Sequence, residues 1–521
     1  MSKTEEHYTV ESEGEMQHGL KRGLEARHLQ MISLGGTIGT GLFLTTGTSI
    51  ASCGPTGALI AYIVVGFLVF CMMTCLGEMT TYLPVSGGFN HYAGRFVDPA
   101  LGFALGWNYW FSWVVTIAIE LSAAGIIIAY WNPNIYVLVM PLTFYVIIFL
   151  FNCVGVKFYG EMEYWFAIIK ILTCLVFIIV SILVNVGAVG GGRQYIGFKY
   201  WTDPGMFTGN TVSFLSLLAT AAFSFQGTEL VAIAAGEAAN PRRNIPKAIN
   251  NVFWRILFFY VTVILMIGLD IPYTDPDLSQ GSSSTDPTYA SFTLVFRKAG
   301  WGVATDIVNG VILTAVLSAC NSDMYSSSRI LCALAREGKA PSIFGRVTRQ
   351  GVPFYALCLS NFIALICLLS AVFDAAGSFV WLINLTTVVG LISWAGIGLT
   401  AFRFRRAYVA QDRRISDLPY KSLLFPFAPL FVFVGSTVII ILQGLYAFTP
   451  VNALSIVGAY CGIIPFLLAY VIYKITTRSR VIPLTMVDLD TGRVDHYEGE
   501  DQAKANDAKR GILGKIIDLV A

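Results

Sequence analysis

Residues 31–50 read MISLGGTIGTGLFLTTGTSI, a stretch of membrane-crossing length that glycine interrupts midway. A second interrupted stretch, SLLATAAFSFQGTELVAIAAG, occupies residues 216–236, five hydrophobic segments later. A broken helix is costly in lipid, because the freed N–H and C=O groups find no water there. It is tolerated where the irregular backbone lines a cavity. Two breaks in corresponding positions of two halves point to the substrate site of a transporter.

The rest of the chain agrees. Of its 521 residues, 55% are hydrophobic and 13% charged, with mean hydropathy +0.66, whereas soluble domains carry about 25% charged residues. A net charge of +2 gives no electrostatic case for nucleic acid. Apolar runs of the roughly 20 residues needed to cross a bilayer are read at 29–52, 56–78, 104–130, 134–153, 163–187, 211–236, 252–272, 302–328, 353–374, 379–402, 424–448 and 453–475. This predicts an all-α integral membrane protein with twelve transmembrane helices, in contact with membrane lipid.

One set of loops holds Arg242, Arg243 and Lys247, then Arg329, Arg336, Lys339, Arg346 and Arg349, then Arg403, Arg405, Arg406, Arg413, Arg414 and Lys421. The opposite set holds only Arg193, Lys199, Arg297 and Lys298. The positive-inside bias and an even number of spans predict a multi-pass protein with both termini cytoplasmic. The tails are then 1–28, polar and without a signal-peptide core, and 476–521. The closing run GILGKIIDLV reads as the end of the tail rather than a surface helix. Trp107, Trp110, Trp113, Trp131 and Trp201 are expected to mark interfaces in part, the others packing.

Metal and nucleotide chemistry find no footing. Cys71 and Cys75 lie one helical turn apart in a span with no histidine near, a pattern that suits apolar packing. His7, His18, His28, His91 and His496 all fall outside the spans. The phosphate loop G-x-x-x-x-G-K-[ST] is absent from the sequence. No metal, cofactor or enzymatic activity is therefore expected, and energy must come from an ion or substrate gradient.

Gly35, Gly36, Gly39 and Gly41 crowd the first break, with Thr37 and Thr40 between them. Small residues let the backbone turn and a ligand approach, and a half-helix beginning there offers N–H donors to a carboxylate. Close helix packing through Gly35 and Gly39 is the competing account. The matching break at Phe223, Ser224, Phe225, Gln226, Gly227 and Thr228 favours the site, since its free carbonyls suit an ammonium group. Together they describe seats for the two ends of an amino acid.

Ionisable groups inside spans suggest function by default. Glu120 and Glu229 lie deep, and Asp323 lies toward the end of its span among serines. Lys170 is seven residues past Glu163. Burial disfavours a lysine's charged form, so Lys170 either exchanges a proton during turnover or snorkels to the surface.

KRGLEARHLQMISLGGTIGTGLF, LGEMTTYLPVSGGF, FSFQGTELVAIAAGEAANPRRNIPKAINNVFWRILFFY and LTAVLSACNSDMYSSSRILCALAREGKAP resemble the amino acid permeases of the amino acid–polyamine–organocation superfamily. The likeness runs from about Gly23 to Lys474, and GTELVAIAAGEAANPRRNIPKAI with LVFRKAG looks most like bacterial lysine-specific and fungal basic amino acid permeases. The resemblance implies a membrane domain over 29–475 with a five-plus-five inverted repeat. Repeat one covers 29–187 and repeat two 211–402, helices 1 and 6 are broken, and two helices are appended over 424–475. It places the substrate carboxylate at Thr37, Gly39, Thr40 and Gly41, and the ammonium at Phe223 and Ser224, with Phe225 as a gate. It assigns the side-chain pocket to Ser112, Thr116, Glu120 and Thr386, with Glu229 as a further acceptor, and proton coupling to Lys170, helped by Glu120.

Two positions depart from the family pattern. Ser112 stands where lysine-preferring relatives often carry asparagine, and Asp323 where glycine or asparagine is usual. The expected function is secondary active, proton-coupled import of amino acids, most of all lysine and arginine, by alternating access at the plasma membrane. A broad-specificity or neutral permease, and an amino acid sensor signalling through its tails, are the alternatives.

Overall fold

The computed structural model describes residues 31, 36–85, 88–132, 134, 136, 138–190, 194–234, 241–280, 291–300, 302–369, 375–448, 451–491 and 493. The N-terminal tail, the C-terminal tail beyond Arg493, Gly35, Arg193 and the side chains of Arg242 and Arg243 lie outside the described residues. Among those described, the regular elements are helical, apart from one isolated bridge between Phe448 and Val451.

Helix α1 (Thr40–Phe43) leads through Leu44 into α2 (Thr45–Tyr82). At 38 residues α2 would run about 57 Å, nearly twice the hydrocarbon thickness. It is in fact two segments joined at Gly54, where φ is 79° and ψ 167°, a conformation reserved for glycine. A Cβ there would lie 2.6 Å from the Met206 carbonyl oxygen. Pro55 then opens the next segment with its φ already set. The divide falls between the first two apolar runs of the sequence.

Helices α3 (Phe89–Phe96) and α4 (Pro99–Ala129) follow, the second capped by Asp98, whose carboxylate accepts the Ala100 N–H at 3.0 Å. Gly155 separates α5 (Val139–Val154) from α6 (Val156–Asn185). The second break lies between α7 (Thr211–Phe225) and α8 (Leu230–Ala234), and α9 (Pro241–Asp270) and α10 (Ser291–Lys298) come next. Then come α11 (Gly302–Arg336), α12 (Phe354–Leu368), α13 (Ala375–Ala410) and α14 (Phe427–Leu442). Helices α15 (Ala453–Tyr460) and α16 (Ile463–Thr477) meet at a 52° bend.

Among the described residues, seven helical spans are long and apolar enough to cross a bilayer, and the bent pair makes eight. The count of twelve is therefore not reached by full-length helices. The physical reason is length: α5 and α12, at 16 and 15 residues, run only about 22–24 Å, the apolar stretch Ile256–Asp270 of α9 is similarly short, and α2 joins two runs in one helix.

Exposure is inverted relative to a soluble protein. Ile60, Ile63, Val64 and Phe67 on α2, Trp165, Leu172, Val176 and Ile179 on α6, and Ile464, Leu468, Ile472 and Ile475 on α16 face outward, as lipid requires. Glu78, Glu120, Glu163, Lys170, Glu229, Asp270 and Asp323 are buried inside. Trp131 is exposed, but Trp110 and Trp113 are buried and belong to packing rather than to an interface.

Basic groups collect at one end of the bundle. There Arg405 of α13 grips Glu78 of α2 through two hydrogen bonds, one of them 2.8 Å, and the Ser422 N–H donates to the same carboxylate at 2.7 Å. The segment beyond α16 straps this end. Its Ile482 N–H donates to Val97 O at 2.9 Å, Gln411 donates to Val487 O at 2.7 Å, and Arg413 holds Asp490 at 2.6 Å. Val487 and Leu489 are buried beneath it. At the far end Lys298 pairs with Asp275 at 2.9 Å.

Removing one member of a buried ion pair leaves an uncompensated charge, at a cost of about 3–5 kcal/mol. Arg405→Leu is therefore expected to lower the thermal unfolding midpoint in detergent markedly, and adding Glu78→Leu to recover most of the loss. A single variant as stable as the parent would refute this account of the clamp.

Candidate functional site

The two breaks are built against each other. Gly39 ends the first, with φ −144° and ψ −141°, and its carbonyl accepts the Leu42 and Phe43 N–H groups at 3.2 and 3.3 Å. In the second, Gln226 is extended and Gly227 has φ 99°. A Cβ on Gly227 would lie 2.7 Å from Gly36 O, and one on Gly41 2.6 Å from Ser224 Cα. Glycine is required at both places because backbone meets backbone.

A single side chain serves both breaks. The Tyr260 hydroxyl of α9 bonds Ser224 O at 2.6 Å and reaches Thr37 O at 3.0 Å. Ser224 adds its own hydroxyl, which donates to Gly41 O at 3.2 Å and lies 3.1 Å from the Tyr62 hydroxyl. Carbonyls freed by the missing helical turns thus find donors within the protein, as a low-dielectric interior demands.

Beside the breaks lies a small cavity of about 30 Å³. Gly36, Thr37, Gly39, Thr40 and Gly41 line it from the first break; Phe223, Ser224, Gln226 and Glu229 line it from the second. Helix α4 contributes Tyr109, Ser112, Trp113, Thr116 and Glu120, while Asp323 comes from α11 and Gly390 from α13. Ten of the twelve substrate-site residues read from the sequence are therefore brought to one cavity.

The other two sit elsewhere. Phe225 is fully buried outside the lining and stacks on Tyr260 with ring centroids 4.8 Å apart, so Phe223 holds the cavity wall instead. Thr386 turns its hydroxyl to Ile383 O at 3.0 Å, and its carbonyl accepts from Gln226 Nε2 at 3.2 Å. Lys170 is 1% exposed, in the field of Glu163, Glu120 and Asp323. Burial that complete replaces the snorkelling alternative. Asp323 is equally buried.

Most carboxylates here have partners. Glu120 accepts from the Thr40 hydroxyl and from the Thr40 N–H. Glu229 accepts from the Tyr109 hydroxyl at 3.2 Å and the Thr228 hydroxyl at 3.4 Å. Glu163 accepts from Ser318 and, at 3.0 Å, from Asn321 Nδ2.

Tyr109, Trp113, Gln226, Gly390 and Tyr260 are not among the substrate-site residues expected from the sequence, although Gln226 is placed there in the second break and Trp113 is noted as a tryptophan of the span. Tyr109 and Trp113 share a face with Ser112, Thr116 and Glu120 at helical spacing, so extending that face would have found them. Gln226 lies inside the second break itself. Tyr260 and Gly390 carry no local signal, because only packing brings them near.

The sequence profile of the "Amino acid permease" family matches residues 28–482. The chain belongs to the amino acid permease family. This permease is 45% identical to a lysine-specific permease of Escherichia coli over 88% of its own length and 94% of that protein's. It is 42% identical to a histidine permease of Lactococcus lactis, over 91% and 99%. It is 40% identical to a lysine-specific permease of Saccharomyces cerevisiae, over 91% and 79%. These relatives are transporters rather than enzymes. A solved manganese transporter of Eremococcus coleocola shares the fold, with TM-score 0.52 at 10% identity over 87% of this chain and 94% of that one. The permease is thus a multi-pass membrane protein of an amino acid transport family.

Tyr260→Phe strips a donor from two buried carbonyls, which costs about 1–3 kcal/mol. The variant is expected to unfold at lower temperature and to transport more slowly. An unchanged midpoint and rate would show that Tyr260 does not tie the breaks together.

Proposed function

We propose that this permease imports basic amino acids together with protons by alternating access. The observation that carries this is the opposition of two unwound backbones across one cavity that also holds buried carboxylates. In this reading the substrate carboxylate is received at Thr37, Gly39, Thr40 and Gly41, and the ammonium by the carbonyls near Phe223 and Ser224. Thr40 already donates to Glu120, so substrate binding has to rearrange that bond. The side chain then meets Ser112, Thr116, Glu120 and Glu229, with Thr386 acting through Gln226.

Lys170 carries the proton. It is buried among acidic groups, Glu120 among them, and Glu120 is bonded to Thr40 of the first break, so the charge state of Lys170 acts on the helix that holds the substrate. The sequence halves 29–187 and 211–402 form the two repeats that rock, and the helices over 424–475 pack outside them, completing twelve spans. The end rich in arginine faces the cytoplasm, both tails lie there, and the membrane is the plasma membrane. A basic amino acid with one proton moves two positive charges inward, for which the membrane potential supplies about 4.6 kcal/mol per 100 mV.

The relatives named for lysine support a cationic substrate. The histidine permease keeps a wider choice in view, as does Ser112.

In liposomes with an acid outer medium, labelled lysine should accumulate, arginine should compete, and leucine, proline and glutamate should not. A protonophore should abolish accumulation. Competition by leucine would retain the transporter and overturn the basic assignment, whereas saturable binding without flux would favour a sensor. Lys170→Met should keep lysine–lysine exchange but lose gradient-driven accumulation; full accumulation in that variant would remove Lys170 from the coupling.

A further inference from the structure

Three carboxylates line the cavity, and they are not equally provided for. Glu120 is held by Thr40, and both oxygens of Glu229 accept hydroxyl protons. Asp323 is 1% exposed, and among the described residues its buried Oδ2 has no hydrogen-bond partner. Buried charged oxygens are expensive to leave so, and each such case calls for a missing partner.

The surroundings narrow what that partner is. Ala319 and Ser322 of α11 abut the first break, where a Cβ added to Gly39 would lie 3.0 Å from Ala319 Cβ and one on Gly36 3.6 Å from Ser322 Cβ. Asp323 is one turn beyond Ala319 on the same helix face, which sets it beside the break and into the cavity. The hydroxyls near it are engaged elsewhere. Ser322 Oγ lies 3.1 Å from the Tyr159 hydroxyl, and Ser326 donates to its own helix at 2.7 Å. The charged groups facing Asp323 are Glu120 from α4 and Lys170 and Glu163 from α6. That is one cation among three carboxylates, so the cluster is short of positive charge. Lys170 is not among the residues that line the cavity.

We propose that Asp323 Oδ2 is the seat of the cationic end of the substrate's side chain, an ammonium or guanidinium, and so selects charged over neutral amino acids. The proposal rests on the reading of the permease as a carrier of basic amino acids and adds the group that recognises the charge. A ligand N–H completes the hydrogen bonding of Oδ2, and its charge offsets the excess of carboxylates. A neutral side chain of the same length leaves the oxygen bare.

The test uses the full-length permease in liposomes with labelled lysine. Competition is measured with lysine against norleucine, which lacks only the terminal amino group, and with arginine against citrulline. Asp323→Asn should weaken lysine on the order of tenfold to a hundredfold and leave norleucine unchanged or stronger, while Asp323→Glu keeps the preference for lysine. A thermal midpoint equal to the parent's, together with the lysine-induced rise in that midpoint, separates lost recognition from lost folding. If Asp323→Asn does not fold, Asp323→Ser gives the same ratio. A lysine to norleucine ratio unchanged in these variants overturns the proposal, and so does a changed proton to lysine flux ratio at constant selectivity, which would make Asp323 a proton site. If the parent itself does not prefer lysine to norleucine, the basic-substrate reading falls as well. If it does and the variants do too, only the subsite falls.

Discussion

Backbone polar groups inside a membrane must be bonded by the protein itself, and this permease interrupts two helices where that demand is hardest to meet. The breaks meet it jointly. Gly227 lies against Gly36, Gly41 against Ser224, and Tyr260 reaches a carbonyl on each side. Neither break is sustainable alone, because each supplies part of what the other lacks. The cavity follows from this, since unwound backbone that is mutually satisfied leaves its remaining edges turned toward an open space.

Charge inside the bundle is arranged around the same place. Glu120 reaches the first break through Thr40, Glu229 follows directly on the second, and Lys170 with Glu163 approaches from α6. In a low-dielectric interior such groups act on each other over several ångströms, so a proton or a cationic ligand arriving at one changes the balance at all. This arrangement lets a binding event in the cavity bias helices that do not touch the ligand. The arginine-rich end shows the opposite use of charge. Arg405 with Glu78, and Arg413 with Asp490, are closed pairs that join α2, α13 and the segment beyond α16. They brace the bundle, and the unevenly paired cluster inside is what remains responsive.

Much of the fold was legible in the chain before any tertiary contact was known. Composition and run length require a helical membrane protein, glycine clusters mark both breaks, and the spacing of Ser112, Thr116 and Glu120 puts them on one face. These signals are local, and local backbone physics decides them. Lengths were less legible, because an apolar run can be longer than the helix it forms, as at α5 and α12. Phe225 and Thr386 lie off the cavity lining on which the sequence placed them, since one rotation along a helix turns a neighbour from the cavity wall into the packing behind it.

By itself the sequence determined the class of protein, the position of the two breaks and four of the buried charges, Glu120, Lys170, Glu229 and Asp323, because solvation in lipid acts on each residue wherever it goes. Only the tertiary structure decided that Tyr260 and Gly390 join the site, that Lys170 is buried rather than at the surface, and that Asp323, a residue of the cavity lining, keeps a buried oxygen without a partner among the described residues. Those facts depend on which helix faces which. Helix packing is a matter of shape and complementarity between distant segments, and no single stretch of the chain contains it.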